Sequence, residues 1–120
     1  MNELIERLVA KTGVETSVAE KAVGVILDFL RKEGPADKVE ALLAKLPGAE
    51  ALIAAAGSSG GGLFNMGGLM GAANRLMGAG LSMGQVQSVT REVVAFAREK
   101  AGEDTVGEIV GAIPGLGQFV

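Results

Sequence analysis

The chain is similar to itself when it is shifted by 67 positions, and this similarity limits the folds open to it. Residues 13–53 align without a gap with residues 80–120, and one deleted residue extends the match toward the N-terminus. The sequence therefore predicts two similar units, at about 2–53 and 69–120, with a glycine-rich linker at about 57–62. The identical pairs are Gly13/Gly80, Phe29/Phe96, Arg31/Arg98, Asp37/Asp104, Val39/Val106, Pro47/Pro114 and Gly48/Gly115, with Arg7-Leu8 matching Arg75-Leu76 beyond the deletion.

Apolar residues within each unit recur at the spacing of an amphipathic helix. No segment alternates apolar and polar residues for long enough to predict a strand. We therefore expect an all-α fold, a compact helical bundle in which two similar three-helix units make one domain over residues 1–120. The first two helical faces are Leu4, Ile5, Leu8 and Val9, and then Val18, Ala22, Val25, Ile26 and Phe29.

The ends of the predicted helices are marked by residues with capping preferences. Ser17 and Glu20 have the spacing of a capping box, which predicts the start of the second helix. Ser82 predicts the start of the corresponding helix in the second unit, and Gly102 predicts its end. Gly13 supplies a left-handed stop for the first helix.

The middle of the chain is almost without charge, since Arg75 is the only charged residue between Glu50 and Arg91. A central helix is predicted over 63–79, with a stripe of large apolar residues on one side and glycines on another. The glycines allow either close packing between the two units or a surface that opens to a partner or a lipid. The predicted close-packing residues are Gly67, Gly71 and Gly78, and the predicted partner contacts are Leu63, Phe64, Met66, Met70 and Met77.

Arg75 lies within a helix that must bury much of its surface. Its side chain either reaches solvent along an apolar stem or pairs with a carboxylate. The match between Arg75 and Arg7 favours a structural role over contact with an anionic ligand.

Composition argues against most catalytic chemistry. The chain has no Cys and no His, so it offers no disulfide, thiolate, imidazole base or ordinary zinc or haem site. The run Gly57-Ser58-Ser59-Gly60-Gly61-Gly62 lacks the Lys-Ser/Thr ending of a P-loop, and Ser58 has no nucleophile-elbow context. We therefore expect no enzyme activity, no cofactor and no bound metal. A net charge of −3 and 3% aromatic residues also argue against nucleic-acid binding.

The N-terminal sequence predicts a cytoplasmic protein. It is acidic and amphipathic, and it lacks the basic and apolar regions of a secretory signal. The uncharged run 51–74 is long enough for a membrane span, but its glycine-rich interruption would leave backbone groups unsatisfied in lipid. A buried helix or helical hairpin is the better interpretation.

The segment Leu46-Pro47-Gly48-Ala49-Glu50-Ala51-Leu52 with its alanine-rich continuation, the glycine-rich middle and Gly80-Leu81-Ser82 resemble an uncharacterised bacterial family. This family is the domain of unknown function named after the VcgC and VcgE proteins. Val25-Ile26-Leu27-Asp28-Phe29 is also similar to the helices of that family. The resemblance implies a small bacterial helical domain, and it brings no catalytic residues to this chain.

The sequence favours a non-enzymatic protein-protein interaction module, with self-association into a homo-oligomer as the expected activity. The stretch 51–90 carries one charge in 40 residues, which is more apolar surface than a small monomer easily buries. The alternative is a lipid or apolar small-molecule binding protein whose central helix lines a cavity between the units. Reversible association with a membrane surface is less favoured, because the central helix has no Lys.

Overall fold

The computed structural model describes residues 2–59, 68–113 and 115–119, and within them the chain is helical without any strand. This confirms the predicted all-α fold. The described residues form eight helices, which are α1 (Asn2–Thr12), α2 (Thr16–Glu33), α3 (Ala36–Ala44), α4 (Ala49–Ser59), α5 (Gly68–Gly78), α6 (Met83–Ala101), α7 (Glu103–Ala112) and α8 (Leu116–Phe119).

The two longest helices, α2 and α6, contact each other and organise the rest of the bundle. Helices α1 and α5 each contact both of them, while α3 packs against α7. Helix α4 lies along α2, and the short α8 contacts α6 and α7. Short helices from each half of the chain are therefore packed on the long helix of the other half.

The core is aliphatic, as expected for a chain with few aromatic residues. Each helix contributes at least one side chain to a single cluster of buried apolar residues. Burial of these Leu, Ile and Val side chains removes apolar surface from water, which is the main favourable contribution to folding. The largest fully buried members of this cluster include Leu4, Leu8, Leu27, Leu42, Leu76, Ile109 and Leu116.

Two predicted ends of α6 are confirmed. Ser82 is the N-cap, and its Oγ accepts a 3.3 Å hydrogen bond from the backbone N–H of Gln85. The Gln85 side chain accepts a 3.0 Å hydrogen bond from the Ser82 backbone N–H, which completes a capping box. Gly102 follows the last residue of α6 with a φ of +93°.

The capping box predicted at Ser17 and Glu20 is wrong. Helix α2 already begins at Thr16, so Ser17 lies inside it, and the N-cap is Glu15 without a side-chain capping bond. Glu15 aligns with Ser82 at the shift of 67, so the two long helices begin at matching positions although only one has a side-chain cap.

The predicted linker at 57–62 also needs correction. Helix α4 extends from Ala49 to Ser59, so residues 57–59 are helical, and residues 60–62 lie outside the described part. From the sequence, only a short turn over Ala49–Ala56 is expected before this linker, because small residues give a weak apolar pattern. Packing along α2 supplies the tertiary support that such a helix needs.

Candidate interaction surface

Helix α5 ends in a tight, glycine-dependent turn that fixes its direction relative to α6. The Gly80 backbone N–H donates to the Met77 carbonyl at 3.1 Å, and the Leu81 N–H donates to the Leu76 carbonyl at 3.3 Å. Gly80 has a φ of +112°, a conformation that favours glycine. This is a Schellman motif in which the apolar Leu76 and Leu81 are both buried. Helices α5 and α6 therefore meet at a defined corner.

Two methionines on either side of this corner are exposed. Met77 in the last turn of α5 is 42% exposed, and Met83 at the first position of α6 is 51% exposed. Among the residues with described side chains, they are the large hydrophobic residues that remain exposed. We call Met77 and Met83 the methionine surface.

The structure places the predicted contact residues unevenly. Met77 is exposed, as a partner contact must be, whereas Met70 lies in α5 with a side chain outside the described part. Leu63, Phe64 and Met66 lie outside the described residues.

The predicted close-packing glycines also differ among themselves. Gly71 is buried in α5, Gly78 is exposed, and Gly67 lies outside the described residues. A Cβ atom added at Gly78 would meet no heavy atom within 4 Å in the described part of the chain. No other described helix of this chain therefore packs closely against Gly78.

Arg75 pairs with a carboxylate, the second of the two placements that the sequence leaves open. Its Nη1 donates a 3.1 Å hydrogen bond to Oδ2 of Asp28, whose side chain is 2% exposed. Arg31 and Lys32 approach the same carboxylate at 3.3 and 3.2 Å. Burial raises the pKa of Asp28, but hydrogen bonds from Arg75 and Lys32 outweigh it and hold the pKa below its ordinary value.

Arg7, which aligns with Arg75 in the sequence, lies in α1 and reaches α6. It donates hydrogen bonds to Glu99 at 2.9 Å and to Glu92 at 3.2 Å, and its guanidinium carbon lies 5.7 Å from the centre of the Phe96 ring. Hydrogen bonding to Glu99 raises the pKa of Arg7 above its ordinary value. Lys11 adds a further ion pair to Glu92 at 3.1 Å. These contacts join α1 to α6.

A groove of about 440 Å³ lies on the surface between α1 and the start of α2. Its apolar floor includes Ile5 and Val9, and Glu6 and Glu20 supply carboxylates. The full lining is Asn2, Ile5, Glu6, Val9, Ala10, Thr16 and Glu20.

A small interior space lies among α2, α5, α6 and α8. It is lined by apolar side chains such as Phe29 and Leu76, with Thr90 as a polar member. Thr90 donates its hydroxyl proton to the Val86 carbonyl at 2.7 Å. The space measures about 10 Å³, no more than about one water occupies. A lipid between these helices would therefore require α5 to move away from α2 and α6.

Sequence reasoning missed two residues that define this region. Met83 lies beyond the end of the predicted central helix, although its position directly after the Ser82 cap could have indicated an exposed first-turn residue. Asp28 carries no sequence signal for burial, because its partner Arg75 is 47 positions away.

Comparison with family models, curated proteins and solved structures finds no match to this chain. The helices at 2–59, 68–113 and 115–119 include none that combines the length and apolar character needed to cross a membrane. No group of three or more carboxylates in these ranges is arranged to hold a metal ion.

Proposed function

We propose that the chain is a non-enzymatic protein-protein interaction module that self-associates through the methionine surface. The observation that carries this proposal is the exposure of Met77 and Met83 beside one helix corner, in a chain whose other described large apolar side chains are buried or partly buried. Methionine is enriched at protein interfaces, and its flexible thioether adapts to the shape of a partner.

The predicted repeat supports this proposal, because it provides a turn in the first half of the chain with which the α5–α6 corner can be compared. Helices α2 and α6 begin 67 positions apart, and Gly13/Gly80 and Gly48/Gly115 have positive φ in both members of each pair. Burial also agrees between aligned residues of the two halves. Pairs that are buried in both members include Leu8/Leu76, Phe29/Phe96, Val39/Val106, Leu42/Ile109 and Leu46/Ile113.

The residues that line the groove between α1 and α2 differ in charge from the residues that align with them in the second half. Its Val9 and Thr16 align with Met77 and Met83, and its Glu6 and Glu20 align with uncharged residues. At the aligned positions, the second half has no charged residue and has methionine in place of Val9 and Thr16. The positions aligned with the groove lining are Met70, Ala73, Asn74, Met77, Gly78, Met83 and Gln87.

The proposal is tested by light scattering coupled to size exclusion over a range of protein concentrations. We expect the wild type to form a dimer or larger assembly. Met83→Glu should raise its dissociation constant by about tenfold or more, because a carboxylate would be desolvated in the interface. Glu is favourable in the first turn of a helix, so Met83→Glu should leave the fold intact.

Thr16→Glu is the matched control. Thr16 is the exposed first residue of α2, as Met83 is of α6, so the two variants add the same charge in the same helical context. Thr16→Glu should associate like the wild type. A wild type that stays monomeric would contradict self-association, and equal masses for Met83→Glu and wild type would contradict the assigned surface.

A further inference from the structure

We propose that Met77 and Met83 are a site of reversible oxidation to methionine sulfoxide, and that this modification controls self-association. The inference rests on the proposed function, because it assigns a regulation to the same surface.

Composition makes methionine the oxidisable residue type of this chain. The sequence contains 5 Met and no Cys, Trp, Tyr or His. An oxidant therefore finds no thiol, indole, phenol or imidazole that would react in place of a thioether. Met77 and Met83 hold two of these five thioethers at one exposed corner.

The chemistry needs only hydrogen peroxide as oxidant. The thioether sulfur attacks one peroxide oxygen, so that an S–O bond forms while the O–O bond breaks. The sulfur loses two electrons to the peroxide, and the second oxygen leaves as water with the proton that the sulfur-bound oxygen gives up. Methionine sulfoxide reductases reverse the change with a dithiol as reductant, which becomes a disulfide while the sulfoxide oxygen leaves as water, so the modification can act as a switch.

The sulfoxide changes the property on which association depends. It converts a flexible apolar side chain into a polar one that accepts hydrogen bonds from water. Burial of two such groups without partners disfavours the interface. Because the thioethers are accessible in the dissociated chain, oxidation traps that form and lowers the amount of assembly.

In the first half of the chain, the turn between α1 and α2 has no oxidisable residue at the two positions that align with Met77 and Met83. Val9 and Thr16 align with Met77 and Met83, and both line the groove between α1 and α2. The corner therefore does not need methionine for its helical structure. This leaves the sulfur atoms of Met77 and Met83 available for a role beyond folding.

The experiment compares wild type with a Met77→Leu/Met83→Leu double variant, before and after treatment with hydrogen peroxide. Leu conserves volume and apolar character, so the variant should fold. Its own dissociation constant, measured before treatment, is the reference for its treated form. Peptide mass spectrometry measures the added oxygen at each methionine, and light scattering measures the assembly. Methionine sulfoxide reductases are then added to the oxidised wild type together with a dithiol reductant.

We expect Met77 and Met83 to gain oxygen, the wild-type dissociation constant to rise about tenfold or more, and reduction to restore assembly. The double variant should have the same dissociation constant before and after peroxide treatment. Three results would each overturn the inference while leaving self-association intact. They are unmodified Met77 and Met83, an unchanged light-scattering mass of the wild-type assembly after oxidation, and an equal rise in the dissociation constant of the double variant. An untreated wild type that is monomeric overturns the proposed function and this control together.

Discussion

The Arg75 guanidinium donates a 3.1 Å hydrogen bond to the buried carboxylate of Asp28 and thereby joins α5 to α2. Arg7, the residue that aligns with Arg75, donates a 3.2 Å hydrogen bond to Glu92 and joins α1 to α6. Each arginine thus connects a short helix of one half of the chain to the long helix of the other half. The two connections differ in burial, because Asp28 is 2% exposed and Glu92 is 17% exposed.

This difference predicts unequal losses when each arginine is truncated. Arg75→Ala should lower the free energy of unfolding by about 2–3 kcal/mol, since a buried carboxylate loses a charged hydrogen-bond donor. Arg7→Ala should cost about 1 kcal/mol or less, because Glu92 and Glu99 retain access to water. Urea unfolding followed by circular dichroism measures both values. A larger loss for Arg7→Ala would contradict this ranking.

Asp28 also predicts how stability depends on pH. Its folded-state pKa lies below the ordinary value of 3.8, so folding favours the ionised form. The resulting stabilisation is fully present above about pH 4, where the unfolded carboxyl is ionised, and is lost as the pH falls through the folded-state pKa. The wild type should therefore lose more stability on acidification than Asp28→Asn.

The measurement is a set of urea unfolding curves for both proteins between about pH 6 and about pH 2. Asp28→Asn keeps the shape of the side chain but cannot ionise, so carboxyl groups elsewhere contribute equally to both curves. The two stabilities should converge toward low pH. A constant difference across the series would show that the charge of Asp28 contributes nothing.

Two glycines should respond to alanine substitution with opposite signs. A Cβ at Gly34 would lie 2.7 Å from the Leu30 carbonyl oxygen, 3.0 Å from Val39 Cγ2 and 3.3 Å from Ile109 Cγ2. Gly34→Ala should therefore destabilise the fold by about 1–3 kcal/mol, because the turn between α2 and α3 must shift.

Gly107 is the matched case without a neighbour. It lies inside α7, and a Cβ there would meet no described heavy atom within 4 Å. Gly107→Ala should stabilise the fold by about 0.5–1 kcal/mol, because Ala favours the helix over the unfolded chain. Thermal unfolding of both variants tests the pair, and a shift of the same sign in both would contradict the packing at Gly34.

The all-α fold and the ends of α6 could be predicted because they depend on local patterns. Apolar spacing identifies α2 and α6, and Ser82 and Gly102 have local capping chemistry. Only a short turn is expected from the sequence in place of α4, because its alanines give a weak local pattern and the helix depends on packing along α2.

The candidate surface could be predicted only in part. The pattern that selected Met77 is helical spacing, which ends with α5 and so omits Met83 across the turn. The ion pair of Arg75 depends on the approach of α2 and α5, which no local pattern contains. Gly78 was predicted to pack closely because glycine in a helix suggests contact, but its neighbourhood depends on tertiary structure.

The most direct test of self-association through Met77 and Met83 is a methyl NMR spectrum of protein labelled with ¹³C at its 5 methionine methyl groups. The spectrum is recorded over a concentration series, and Met77→Leu and Met83→Leu variants assign the two signals. We predict that the Met77 and Met83 signals shift or broaden as the concentration rises. Signals at Met77 and Met83 that stay unchanged throughout the series would contradict the account.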